Sequence, residues 1–220
     1  MPVWFLQWSE YGDGTISFMV MLMGRYGNIP EEKSSMRAVM KKRRHALPLP
    51  ARLEMSDFIA GHAVLMQEIH DARQIHLYLS IEDHAEVLTA PVIERLEALG
   101  KSLCVPVVSE GDLMTAAYRK GEVLKPADYG QPEPESVTVI DETQIDVILM
   151  PLLAFDRRGY RLGYGKGFYD RFLQRLSSRG IFPLRLGLAF SMQMVEQVPI
   201  DTWDEPMHGV IHEHGFVRFT

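Results

Sequence analysis

The chain has 220 residues, 46% of them hydrophobic and 24% charged, which describes one globular core and excludes a disordered or fibrous chain. A formal net charge of −6 excludes a whole-surface nucleic-acid binder. The single cysteine, Cys104, excludes an internal disulfide framework and suits a reducing, cytoplasmic compartment, and no apolar window is long enough to predict a transmembrane helix.

Ile16 to Met23 is a short apolar patch preceded by acidic residues, so it makes a poor signal peptide. With Met19, Met21 and Met23 inside it, residues 1–29 read as a variable or mobile extension, and Met19 to Met23 also fit an over-extended start. Glu31 to Leu47 has helical spacing at Met36, Val39 and Met40, and Pro48 and Pro50 are expected to end it. The basic run Lys41 to Arg44 within it reads as a solvated helix face. A second helix is predicted over Ala51 to Ile69, a strand over Gln74 to Ser80, and a helix over Ala90 to Leu99 that Gly100 stops. Leu103 to Val108 reads as a strand that buries Cys104 as a structural thiol, and Leu113 to Arg119 as a further strand.

Lys120 to Val137 is punctuated by glycines and prolines and reads as a loop. Ile145 to Leu153 is a nearly unbroken apolar run, the pattern of a central strand buried on both faces. A helix follows from Phe168 to Ser178, then strands over Leu184 to Phe190, Gly209 to His212 and Phe216 to Phe219. Strands alternating with helices predict a single α/β domain over residues 30–220, a three-layer arrangement with a mostly parallel sheet and helices on both faces.

The most informative stretch is Arg161 to Arg171, RLGYGKGFYDR. Gly163, Gly165 and Gly167 alternate with Tyr164 and Lys166 and lead into a helix, whose first N–H groups and positive dipole end point back at the loop. Arg161 and Lys166 add positive charge and Asp170 a carboxylate, a combination suited to phosphate and a divalent metal. It is not a P-loop, since Lys166 is followed by Gly167 in place of a hydroxyl residue. Nor is it the dinucleotide fingerprint, which needs two residues before its third glycine. Ligands of such sheets bind at the carboxyl ends of the strands, so the loops after Ser80, Leu153 and Phe190 should converge, bringing Gln193 and Asp204 toward the glycine loop.

The segment Pro151 to Leu173 closely resembles the signature of 5-formyltetrahydrofolate cyclo-ligases. Lys33 and Arg37 match that family's Lys-x-x-x-Arg pair. Leu79 and Ser80 with Glu86, Val87 and Thr89 resemble its folate-side segment. Tyr129 to Pro134 resembles its Gly-x-x-Glu-Pro loop, and Leu186 to Phe190 with Gln193, Pro199 and Asp204 resembles its C-terminal segment. The resemblance implies conversion of 5-formyltetrahydrofolate to 5,10-methenyltetrahydrofolate with ATP and Mg²⁺: the formyl oxygen is phosphorylated, a neighbouring nitrogen closes the ring, and phosphate leaves. The protein's task is then positioning and charge neutralisation.

The implied roles follow. Arg161 and Lys166 are catalytic, Lys166 steadying the transferring phosphoryl group. Lys33, Arg37 and the run Arg161, Leu162, Gly163, Tyr164, Gly165, Lys166, Gly167, Phe168 and Tyr169 hold the nucleotide. Leu79, Glu86, Tyr164, Gly165, Lys166, Gly167 and Phe168 line the folate side, with Glu86 facing pterin N–H donors. Asp170 and Asp204 are oxygen ligands for Mg²⁺. Small-molecule partners, no membrane, and a monomer or weak homodimer are expected. Plainer readings stand beside these: Lys33 and Arg37 as surface helix charges, Glu86 as a helix N-terminal acid, Asp170 as a complement to the helix dipole, and one of Phe168 and Tyr169 as core.

The chain departs from the family pattern at His208 and at His212-Glu213, where a second acidic residue and a Thr-Glu pair are usual. With His214 these residues raise a zinc reading that no cysteine or fourth close ligand supports. The rival from another class is a non-catalytic nucleotide- or nucleic-acid-binding relative, whose best support is Lys41 to Arg44.

Overall fold

The computed structural model describes residues 28–219. The extension expected over residues 1–29 lies outside the described residues except for Asn28 and Ile29, and Ile29 already opens the first helix, α1 (Ile29–His45). Pro48 and Pro50 belong to the next helix, α2 (Leu49–Val64), where Pro48 is the N-cap and Pro50 falls in the first turn. A proline there loses no hydrogen bond and its fixed φ suits helix entry. Helix α1 stops at His45, just before the prolines as expected, and the same residues also start α2.

The helix predicted to Ile69 is two pieces, α2 and the short α3 (Gln67–Asp71). Met66 between them has an extended ψ of 132° and turns its side chain into the core, while Leu65 is left exposed. Neither Gly nor Pro marks the break, so apolar spacing ran straight through it.

One seven-stranded sheet organises the domain, in the order β11-β10-β9-β6-β1-β2-β3. Its strands are β1 (Gln74–Leu77), β2 (Ser102–Ser109), β3 (Asp112–Tyr118), β6 (Val147–Pro151), β9 (Leu184–Leu188), β10 (Gly209–His212) and β11 (Gly215–Arg218). The five inner strands are parallel, and β3 and β11 close the edges antiparallel. Period-two alternation sorts the side chains: Ile75, Leu77, Val147 and Leu149 face α2 and α4 (Ala90–Ala98), whereas Cys104, Ile148 and Met150 face α5 (Phe168–Ser178). Helices therefore cover both faces, as the sequence predicted. Burial pushes the Cys104 thiol up to about 12, in keeping with a structural, unreactive role.

Two small hairpins were not predicted. The loop over 120–137 contains β4 (Leu124–Pro126) paired with β5 (Pro132–Pro134). Between β6 and the glycine loop stand β7 (Ala154–Phe155) and β8 (Arg161–Leu162), so the loop leaves a hairpin and not the central strand. The chain turns outward from β1 to β2 on one side and returns to β6 on the other, which puts the switch point at the carboxyl ends of β1 and β6.

Near the far edge, Gly209 faces the ring of Phe216. A Cβ at Gly209 would stand 2.4 Å from that ring and 2.7 Å from the Val217 carbonyl oxygen. Gly209→Ala is expected to lower unfolding free energy by about 1–3 kcal/mol in a denaturant titration, through overpacking of the β10–β11 pair; an unchanged midpoint would contradict this.

Candidate active site

The hairpin that carries the glycine loop is fastened by Asp156, which is fully buried. Its carboxylate accepts hydrogen bonds from the backbone N–H groups of Arg158 at 2.9 Å and Val198 at 2.9 Å. From β8 the chain passes through Gly165 at φ +95° and Gly167 at φ +67°, conformations that favour glycine, and Gly167 caps α5. Arg37 lies across this turn. Its guanidinium carbon is 3.1 Å from where a Gly165 Cβ would stand, and its Nε donates to the Gly163 carbonyl at 3.0 Å. Gly163 differs: nothing lies within 4 Å of its Cβ position, so its bare face opens onto free space.

That space is a cavity of about 540 Å³ over the switch point. Lys33, Arg37, Leu79, Glu86, the whole run Arg161–Asp170 and Asp204 all line it, so the residues singled out from the sequence share one wall system. Gln193 arrives nearby but does not line it. Its amide donates to the Leu152 and Leu153 carbonyls at 2.7 and 3.2 Å, a structural tie under the loop.

Charge in the cavity is unevenly committed. Lys33, almost fully buried, is bridged to Asp201 at 2.8 Å and Asp204 at 2.5 Å. It is not the surface helix charge of the plainer reading. Arg161 is bridged to Asp170 at 2.6 Å and donates to the Glu205 carbonyl at 2.6 Å. Lys166 is exposed, with its ammonium 5.0 Å from the centre of the Tyr129 ring and no carboxylate partner among the described residues. The positive charge available to an incoming anion therefore sits on Lys166, Arg37 and Lys41, which line the cavity without a carboxylate partner among the described residues.

Among the described residues no three His, Cys, Asp or Glu side chains converge as a ready metal site. The donors nonetheless fit Mg²⁺, which takes one or two carboxylates and completes its shell with phosphate oxygens and water. Asp204 uses Oδ2 for Lys33 and for the Asp201 N–H, and Asp170 uses Oδ1 for Arg161. Each thus keeps one carboxylate oxygen for a cation.

The cavity is also lined by Glu86, which is 2% exposed and joined to the glycine loop through Tyr164. Its carboxylate accepts from the Ile81 N–H at 2.8 Å and from the Tyr164 hydroxyl at 2.5 Å. Burial pushes its pKa up, against the downward pull of the Tyr164 and Ile81 hydrogen bonds and of Arg44. It is therefore not a helix-capping acid: α4 begins later, at Ala90. Tyr164 is more committed than its expected stacking role implies. His84 stacks on its ring with centroids 4.8 Å apart. Phe168 meets Tyr129 edge-on at 5.3 Å. Tyr169 packs against His76 and Phe172, and both it and Phe168 are half-buried against the core while lining the cavity, so neither is a core aromatic alone.

The basic run needs correction at one position. Lys41, Lys42 and Arg43 are exposed, but Arg44 is 2% exposed and donates to the Leu152 and His84 carbonyls and to the Tyr164 hydroxyl. The run is thus a poorer polyanion patch than its composition indicated. The His212 and His214 rings meet edge to face at 5.9 Å, but among the described residues no third ligand joins them in a metal site. His208 Nδ1 accepts from the Arg185 N–H, His212 Nδ1 from the His214 N–H, and Glu213 holds Ser191. Arg44, Asp201, Tyr129 and His84 were missed as cavity or wall residues. Three carried a sequence signal: Asp201 stands three residues before Asp204, Tyr129 opens the segment that resembles the family's Gly-x-x-Glu-Pro loop, and His84 lies in the loop after Ser80.

A three-layer α/β domain with a glycine-rich loop and a charged cavity over its switch point defines a protein built to bind small molecules at its strand ends. A sequence profile described as the 5-formyltetrahydrofolate cyclo-ligase family matches residues 29–213. The 5-formyltetrahydrofolate cyclo-ligase of Escherichia coli K12 is 32% identical over 178 residues, covering 79% of this chain and 96% of the relative. That of Haemophilus influenzae is 29% identical over 186 residues, covering 82% and 97%. The NMR structure of Aquifex aeolicus 5,10-methenyltetrahydrofolate synthetase superposes with a TM-score of 0.73 at 29% identity, covering 84% of this chain and 92% of that one. The chain belongs to the 5-formyltetrahydrofolate cyclo-ligase family. No helix among the described residues is long and apolar enough to cross a membrane.

Proposed function

We propose that the protein converts 5-formyltetrahydrofolate to 5,10-methenyltetrahydrofolate, with ATP phosphorylating the formyl oxygen and with release of ADP and phosphate. Family membership supports the reaction class. The observation that carries it to this chain is one cavity lined both by the glycine loop with the unpaired Lys166 and by the buried carboxylate of Glu86.

A formamide oxygen is a poor leaving group. Once phosphorylated it becomes a good one, and attack by the neighbouring anilino nitrogen closes a five-membered ring before phosphate departs. The chain's residues position and neutralise. The open face of Gly163 and the N-terminus of α5 receive phosphate oxygens. Arg37 and Lys166 counter the charge, and Lys166 is placed to follow the transferring group. Glu86 accepts N–H donors from the pterin edge, with Leu79 and Phe168 as apolar walls. Asp170 and Asp204, together with the newly found Asp201, would hold Mg²⁺, which when bound neutralises phosphate charge.

Purified protein with 5-formyltetrahydrofolate, ATP and Mg²⁺ is expected to give the methenyl product's absorbance. The signal should vanish with EDTA and return with excess Mg²⁺. Absence of an ATP-dependent rise would refute the proposal, and turnover insensitive to chelation would refute the metal's part in it.

A further inference from the structure

Arg44 is a cation with no direct carboxylate partner among the described residues, held 2% exposed at the end of α1. Burying such a group among neutral acceptors costs free energy unless something compensates. Its Nη1 donates to the Leu152 carbonyl at 3.1 Å, and its Nη2 to the His84 carbonyl at 2.5 Å and to the Tyr164 hydroxyl. One hydroxyl beyond it lies the compensating charge, Glu86, equally buried.

The proton inventory of this chain runs one way. A guanidinium only donates, so the Tyr164 oxygen must accept from Arg44. The single proton of that hydroxyl is then directed to Glu86 Oε1, at 2.5 Å. The Ile81 N–H holds Oε2 at 2.8 Å. Both carboxylate oxygens accept one hydrogen bond, each retains acceptor capacity, and Glu86 lines the cavity. A proton on Glu86 would compete with these donors. The charged and titratable groups that face Glu86 are Tyr164 from the glycine loop, Tyr78 from the end of β1, Tyr169 from α5 and Arg44 from α1, and Arg44 is the only cation among them. His84 adds none at neutral pH, because burial first, and then Arg44 and Lys41, hold its imidazole below its ordinary value.

We propose that Arg44 is a positioning residue: by directing the Tyr164 proton onto Glu86 it keeps that carboxylate a pure acceptor, aimed at paired N–H donors on the edge of a flat heterocycle. The occupant named here, a pterin-type ring, rests on the folate reading above. The relay itself does not.

Two variants test it. Tyr164→Phe keeps the ring against His84 and removes only the hydroxyl; Arg44→Met keeps most of the volume and removes the charge. In ¹³C-carboxyl NMR of the ligand-free protein, the Glu86 titration should move to higher pH in both, by about one unit or more. In steady-state assays the KM for 5-formyltetrahydrofolate should rise most, by about tenfold, at the acidic end of the pH profile and much less toward its alkaline end, where Glu86 has lost its proton, while the KM for ATP stays within about twofold. If Arg44→Met fails to fold, Tyr164→Phe decides alone. An unmoved Glu86 titration overturns the relay. So does a folate KM that rises by the same factor at every pH, or one matched by an equal rise for ATP, since that marks a structural residue. If the wild-type protein makes no methenyl product, the folate reading falls, and the NMR titration still decides whether Arg44 sets the state of Glu86.

Discussion

Lys166→Ala is expected to lower kcat by roughly 10²- to 10³-fold, equivalent to about 2.7–4 kcal/mol of barrier, while folate binding changes by no more than about twofold. The reason is the distribution of charge in the cavity. Lys33 and Arg161 each face carboxylates in the ligand-free protein, whereas Lys166 has only the Tyr129 ring beneath its ammonium. A group without a ground-state ionic partner can strengthen its interaction as charge shifts to the transferring phosphoryl group, and that difference is what catalysis requires. Its anchor is also suitable: Lys166 lies between two positive-φ glycines, and its carbonyl accepts from Arg171 at 2.9 Å, so the loop is held while the side chain stays exposed. Steady-state kinetics with an independent folate-binding measurement check the expectation. Tyr129→Leu serves as the control. If it costs as much kcat as Lys166→Ala, then Lys166 acts by seating the Tyr129 loop and not on phosphate.

Much of this architecture was legible in the residues because the signals were redundant. The apolar run before Pro151 and the spacing of Phe168, Phe172, Leu173 and Leu176 each have one compact solution, and α5 spans Phe168–Ser178 as predicted. The glycine loop was legible because two of its three glycines carry a backbone demand no other residue meets easily. What escaped was set by tertiary contact. Arg44 continues the Met36–Met40 row at helical spacing, so its face could be read from the sequence, but a charge in a basic run gave no sign that it would be buried against the glycine loop. The α2–α3 break follows from Met66 reaching the core, with no local breaker. Asp156 looks like an ordinary turn acid, yet its buried carboxylate organises the hairpin beneath the site. The pairing of each expected metal ligand with a cation was likewise hidden, since residues from 33 to 204 meet only after folding.

That pairing leads to the second large effect. Arg161→Met is expected to destabilise the protein by about 3 kcal/mol, in contrast to a phosphate contact, whose loss would leave stability intact. The Arg161 side chain is 4% exposed and joins three segments: β8, on which it sits, Asp170 in the first turn of α5 at 2.6 Å, and the Glu205 carbonyl at 2.6 Å. Removing it strands a carboxylate and a carbonyl at once. For a domain of this size that corresponds to a fall in Tm of roughly 6–12 °C. Asp170 is more open, at 24%, so water can replace part of what Arg161 loses, and Asp170→Asn should cost only about 1 kcal/mol. The double variant should be less destabilised than the sum of the singles, because the second change removes the group that the first left unpaired. Thermal melts of the three variants, with and without ATP and Mg²⁺, separate the alternatives. An Arg161→Met protein that melts like wild type but has a raised KM for ATP would return Arg161 to the phosphate-binding role expected from its sequence position. A lowered Tm in the absence of nucleotide places its main work in holding α5, and with it the N-terminal end that receives phosphate, against the hairpin.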